Sequence, residues 1–160
     1  MRFPENYKVV PIASRLDLNG TATNPCDSIN MKNYHRATFL CNFQALGVKS
    51  VFAKVWSGTT DGAQSSALTF NYAFGTATIL GTDADVLAAT ASSANLEIAD
   101  TYDDFMLVIE IDASAMDVAS GEEWLTLCFP DTGVGATGNV SVFAILEPRY
   151  SKASSPTALA

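Results

Sequence analysis

Residues 34–62, YHRATFLCNFQALGVKSVFAKVWSGTTDG, restrict the fold more than any other stretch of the chain. Ala37, Phe39, Cys41, Phe43 and Ala45 fall on one parity; Thr38, Leu40, Asn42 and Gln44 fall on the other. A period of two is the geometry of a strand with one buried and one wetter face, because successive side chains point to opposite sides. A short turn containing Gly47 follows, then a second strand over 51–57, then a polar turn with Asp61-Gly62 inside it. The unit is a β-meander.

The same alternation recurs along the chain. Residues 13–18 form a weak first strand, and Asn19-Gly20 is a strong turn signal. Residues 67–80 read as one long strand with Leu68, Phe70, Tyr72 and Phe74 on one face and a bulge or bend at Gly75. A short strand is expected over 94–99. The clearest one covers 105–111, with Phe105, Leu107, Ile109 and Ile111 facing one way. Asp112 then stands as an N-cap before a helix-compatible turn over 113–118. Asp83 can cap another turn over 84–88, although a loop fits that segment equally well. Strands over 124–129 and 140–147 complete the set, the first with Leu125, Leu127 and Phe129 inward, the second with Val140, Val142, Ala144 and Leu146 on one face. The expected architecture is an all-β antiparallel sandwich or jelly roll of seven or eight strands, with at most one or two short helical turns. Residues 1–12, with Pro4 and Pro11, read as an extended N-terminal arm, 13–150 as the sandwich, and 151–160 as a flexible C-terminal tail.

Charge is sparse and uneven. Only 16% of residues are charged, against about 25% in ordinary soluble domains, which leaves a neutral surface suited to packing against neighbours. Residues 1–54 carry seven Lys or Arg and three acids, whereas residues 55–148 carry fourteen acids and no Lys or Arg. The acidic bulk disfavours nucleic acid, and no apolar run is long enough to span a membrane. The basic ends can meet an acidic surface, on a partner or on a neighbouring copy. The candidate contacts are therefore Arg2, Phe3, Tyr7, Lys8, Arg15, Lys49, Lys54, Arg149, Tyr150 and Lys152.

Chemistry is hard to place in this sequence. His35 is the single histidine, and no G-x-S-x-G or comparable nucleophile motif accompanies it. Asp83 and Asp85 lack the third ligand and the glycine of a calcium loop, and Asp100, Asp103 and Asp104 match no carboxylate-pair motif. Cys26, Cys41 and Cys128 are odd in number and carry no C-x-x-C, so neither a disulfide framework nor a zinc site is suggested. Cys41 and Cys128 sit inside strand patterns and read as buried thiols, which fits synthesis in a reducing compartment. The glycine-rich loop 133–138 leads into a strand and not a helix, so it is no phosphate loop. No catalytic residue, cofactor or metal site is assigned. Trp56, Trp124, Tyr72, Tyr102 and Tyr150 leave open a carbohydrate-binding platform.

The order of these features resembles the small jelly-roll proteins of tailed phages that serve as head decoration or cement proteins and related virion components. The matching pieces are Met31-x-x-Tyr34-x-Arg36-Ala37-Thr38, Trp56-Ser57, Thr60-Asp61-Gly62, the strand and turn from Ile109 to Asp117, the 124–129 strand, and the closing 140–146 strand with Pro148-Arg149-Tyr150. Together they cover roughly residues 28–152. The resemblance implies a non-enzymatic protein on the exterior of a virion capsid, with the major capsid protein as its partner and a homotrimer as its assembly. Its alternatives are a carbohydrate-binding sandwich module and a tail- or fibre-associated structural protein.

Overall fold

The computed structural model describes residues 3–19, 23–47, 49–131, 135–150 and 157–159. After a helical turn, α1 (Phe3–Asn6), the strands are β1 (Lys8–Asp17), β2 (Ile29–Asn30), β3 (Tyr34–Gln44), β4 (Val51–Gly58), β5 (Ser66–Leu68), β6 (Phe70–Thr78), β7 (Ala91–Ser93), β8 (Leu96–Ile98), β9 (Phe105–Asp112), β10 (Trp124–Cys128) and β11 (Asn139–Pro148). All pairings are antiparallel. One sheet has the order β1-β11-β3-β9-β6-β7, the other β2-β10-β4-β5, with β8 also on β4.

The pairings are nested. β1 pairs β11, β2 pairs β10, β3 pairs β9 and β4 pairs β8. A chain folded back on itself in this way and rolled into two facing sheets is a jelly roll. The expected sandwich is therefore present, with eleven strands among the described residues in place of seven or eight. Two of the additional strands, β2 and β7, have two and three residues, too few to show a period. The third arises because residues 67–80 do not form one strand. The chain leaves the five-stranded sheet after Leu68 and enters the six-stranded sheet at Phe70. The bulge expected at Gly75 is there, since the β6–β9 register shifts between Phe74 and Thr78.

The helical turns also differ. Among the described residues they are α1 and three 3-10 turns, Asp100–Tyr102, Ala113–Ala115 and Val118–Ser120. Asp112 does not cap the turn that follows it. Its carboxylate accepts from Arg36 Nε at 2.9 Å instead. Asp117 does the capping one turn later, accepting from the Ser120 N–H at 3.2 Å and Oγ at 2.6 Å. These bonds hold the Asp117 carboxyl below its usual range. Residues 84–88 are not helical: a turn ends at 85 and Leu87 forms an isolated antiparallel bridge with Gly75.

The core lies between the sheets. Phe39, Cys41, Phe43, Leu107, Ile109, Val140, Val142, Ala144 and Leu146 from one sheet meet Val51, Ala53, Val55, Leu125 and Leu127 from the other, all fully buried. Phe43 and Phe129 meet edge to face at 5.6 Å, the arrangement their quadrupoles favour. The expected inward parity of β3 holds as far as Phe43 and ends at Ala45, which turns out at φ 56. All three cysteines are buried free thiols.

Of the expected arm and tail, residues 1–2, 151–156 and 160 lie outside the described residues. The expected arm enters the sheet at Lys8 as the edge strand β1. That edge is blunted by Pro11 and by two register shifts, which discourage pairing with a foreign strand. At the other end the Asn30 N–H donates to the Ala158 carbonyl at 2.8 Å, and Ala158 is buried.

Candidate functional site: the outer face of the six-stranded sheet

An exposed sheet face is ordinarily polar, because alternation sends only every second residue to the core. The outward face of the six-stranded sheet is not. One in-register row runs Pro11, Phe143, Leu40, Val108, Ala73 across β1, β11, β3, β9 and β6, with Leu40 and Val108 half-buried and Ala73 buried at its end. Phe143 is 48% exposed and Val9, one row below, 49%. The row above is Ser141, Asn42, Met106. Among the described residues, Asn42 Oδ1 is a buried polar atom with no hydrogen-bond partner.

Below the apolar row the face becomes polar. Val9, Ile145, Thr38, Glu110 and Asn71 are in register, and beneath them stand Glu147, Arg36 and Asp112. Arg36 bonds Asp112, and this hydrogen bond raises its pKa further. Two shallow hollows flank Arg36 and Glu110. One, about 250 Å³, also takes in Thr69, Asn71, Asp112 and Ser114. The other, about 160 Å³, is closed by Tyr7, Thr38, Ile145 and Glu147. Tyr7 reaches this face because α1 turns the chain back, with the Tyr7 N–H bonded to the Phe3 carbonyl at 3.0 Å. The Phe3 and Tyr7 rings stack with centroids 5.0 Å apart, and both are exposed.

Of the candidate contacts read from the sequence, Tyr7 stands on this face with Phe3 stacked on it, and Lys8 opens the strand at its edge. Arg15 sits further along β1 at φ 51, its N–H donating to Ser141 Oγ. The others are elsewhere. Lys54 is on β4 in the opposite sheet, across from Cys128, and Lys49 is in the β3–β4 loop. Arg149 follows β11, with its Nε donating to the Tyr34 carbonyl at 3.1 Å and Tyr150 exposed beside it. Arg2 and Lys152 lie outside the described residues. The basic candidates therefore do not form one patch. The residues missed in the sequence are Val9, Pro11, Leu40, Val108, Phe143 and Ile145. Their signal was present: β3, β9 and β11 carry apolar residues on both parities.

The aromatic platform does not assemble either. Tyr72 and Tyr102 belong to a run of ring contacts with Phe70, Phe74 and Phe105, and Tyr102 stacks on Phe74 at 3.8 Å. Trp56 and Trp124 are half-buried in the other sheet. His35 is exposed at the start of β3. Glu122 is a buried acid, and its carboxylate accepts from Ser57 Oγ and from Ser66 Oγ. Among the described residues no group of three or more His, Cys, Asp or Glu is placed to hold a metal ion. No protein-family model matches the chain, and no curated protein matches it.

Proposed function

We propose that this is a virion structural protein that docks on the outer surface of a tailed-phage capsid and braces the joints between major capsid protein subunits, acting as a decoration or cement protein without catalysis. The observation that carries the reading is the in-register apolar row Pro11–Phe143–Leu40–Val108 on an outward sheet face, exposed at Pro11 and Phe143 and half-buried at Leu40 and Val108. Exposed apolar side chains gathered in one stripe on a sheet face are a feature of interaction surfaces. The aromatic pair Phe3–Tyr7 on its rim supplies rigid side chains of the kind that anchor interfaces. The low charge content and the jelly-roll topology are in keeping with it. A shell offers many identical sites, so weak contacts per copy sum to firm attachment when copies are joined. The test is co-sedimentation with shells assembled from the major capsid protein encoded in the same genome. Saturable binding at a fixed number of copies per capsomer is expected. A protein that stays in the supernatant at every concentration refutes the reading.

A second reading rests on the polar hollow beside Arg36, where Asn71, Glu110 and Asp112 offer donors and acceptors suited to sugar hydroxyls. A glycan array probed with the wild type and with Asn71→Ala decides it, and a blank array removes it.

A further inference from the structure

We propose that copies of this chain associate head to tail, with the 78–81 turn of one copy entering a cleft at the far end of the next. The turn presents Leu80, which is 100% exposed and has a φ of 80, a conformation that L side chains rarely adopt. It is held firmly. The Gly81 N–H donates to the Thr78 carbonyl and the Ile79 N–H to the Asp104 carbonyl, both at 2.7 Å. A Cβ on Gly81 would stand 2.9 Å from the Thr78 oxygen, so the turn cannot loosen around a larger residue there. A strained backbone that drives a leucine entirely into water is a costly arrangement for a chain that remains alone.

The matching hollow lies at the other end of the sandwich. It measures about 240 Å³, has an apolar lining of Met31, Ala113, Met116 and Val118, and carries Lys32, Arg149, Glu122 and Glu123 around it. A branched four-carbon side chain fits such a space. Val118 is itself 64% exposed on the capped 3-10 turn, so a second apolar surface awaits cover at the same place. The turn follows β6, whose end pairs with the start of β9, whereas the cleft is built from residues between β9 and β10 together with Met31 and Lys32 just before β3 and Arg149 just after β11. The eight residues of β9 separate the two features by roughly 25 Å at about 3.3 Å per residue. One chain therefore cannot fill its own cleft.

Charge favours the same pairing. Asp83 and Asp85 follow the turn in sequence, and Asp104 stands beside it, its carbonyl accepting from the Ile79 N–H. Of the two acids at the cleft, Glu122 is turned to Ser57 and Ser66, and Glu123 accepts from Asn30 Nδ2 at 3.3 Å. Lys32 lies 3.9 Å from Glu123, a loose pair between exposed side chains that an incoming aspartate can rearrange. Arg149 is the second cation. A contact between different surfaces of identical subunits is heterologous, so it closes into a ring or continues as a fibre according to its rotation.

Self-association is measured without capsids, so its outcome is separate from that of the capsid reading. The experiment is sedimentation velocity on the wild type, Leu80→Asp and Val118→Asp, at up to roughly 100 µM, a range that covers micromolar affinities. Wild type is expected as an oligomer. Each variant is expected to weaken association by about tenfold to a hundredfold, the worth of one buried apolar side chain. Leu80→Asp keeps an intact cleft and Val118→Asp keeps an intact turn, so their mixture is expected to form a one-to-one dimer that grows no further. A monomeric wild type overturns the proposal, as does an oligomer that Leu80→Asp leaves unchanged. A mixture that fails to pair overturns it too, because two copies meeting through one shared face would behave that way.

Discussion

Replacing Phe143 by serine tests the outer sheet face most directly. Its neighbours along β11, Val142 and Ala144, are fully buried, whereas Phe143 is 48% exposed on the outward row. A phenylalanine buries about 150–250 Å² when covered, so roughly 100 Å² of this one remains for a partner. Covering that area at about 25 cal/mol per Å² contributes around 2.5 kcal/mol, or about 70-fold in affinity. The half already packed between Pro11 and Leu40 costs the fold a comparable amount when removed, so the assay belongs well below the melting transition, with circular dichroism to confirm the fold. Phe52→Ser supplies the control. Phe52 is half-buried on β4 in the other sheet, and its loss is expected to leave shell binding unchanged. Binding isotherms on purified shells read both variants. If Phe143→Ser binds within twofold of wild type while remaining folded, the outer face is not the capsid contact.

Gly138 has φ 127, and a Cβ there would lie 2.9 Å from the Ala45 carbonyl oxygen and 3.1 Å from that of Gln44, so Gly138→Ala is expected to cost roughly 2–3 kcal/mol in urea unfolding. Ser28 Oγ and Thr126 Oγ1 are 2.7 Å apart and buried, and Ser28 Oγ also accepts from the Gly62 N–H. Ser28→Ala is expected to cost about 2 kcal/mol, Thr126→Val about 1, and the double variant less than their sum, as a double-mutant cycle would show. Burial raises the Cys128 thiol from its ordinary 9.0 up to about 12 and pushes Cys41 and Cys26 up as well. The native state therefore keeps protons that the unfolded chain releases, and stability holds below pH 9 and falls above it, by up to about 1.4 kcal/mol per pH unit for each thiol. Denaturant titrations between about pH 8 and 10.5 should show a slope flatter by that amount in Cys128→Ala. Leu80→Gly relieves the positive φ and should stabilise the monomer by roughly 0.5–1 kcal/mol, read as a higher urea midpoint.

Much of the fold was legible because β3, β9 and β11 are long enough for a period of two to declare itself, and their inward residues are the buried ones. What alternation cannot carry is which sheet a strand joins. Residues 66–78 keep one parity through Leu68, Phe70, Tyr72 and Phe74, yet the chain changes sheets at Thr69 with no glycine or proline to announce it. Local chemistry misled at Asp112, which has the right residue type for a cap but a stronger partner across the sheet in Arg36. The outer face was half-legible. Leu40, Val108 and Phe143 each sit on the wetter parity of their own strand, and only the register between strands shows that they form a single row.

Nested pairing also changes what the charge pattern means. Along the sequence the bases come first and the acids later, which reads as a basic end free to dock. A jelly roll lays the first half of the chain antiparallel to the second, so early bases are delivered to late acids. Arg36 of β3 meets Asp112 of β9 at 2.9 Å, and Lys32, leading into β3, lies 3.9 Å from Glu123, leading into β10. Exposed pairs of this kind add little stability, but they occupy the cations. The segment between β4 and β8 is the fold-back of the ribbon and has no earlier partner in the nested scheme. Its acids are Asp83 and Asp85, and just beyond β8 Asp103 and Asp104 meet the end of β3, where the Leu46 N–H donates to Asp103 Oδ1 at 3.0 Å and the loop that follows carries Lys49. The Leu80 turn has Asp83 two residues beyond it and the Asp104 carbonyl bonded to the Ile79 N–H, and in the proposed head-to-tail contact these acids face Lys32 and Arg149 at the cleft.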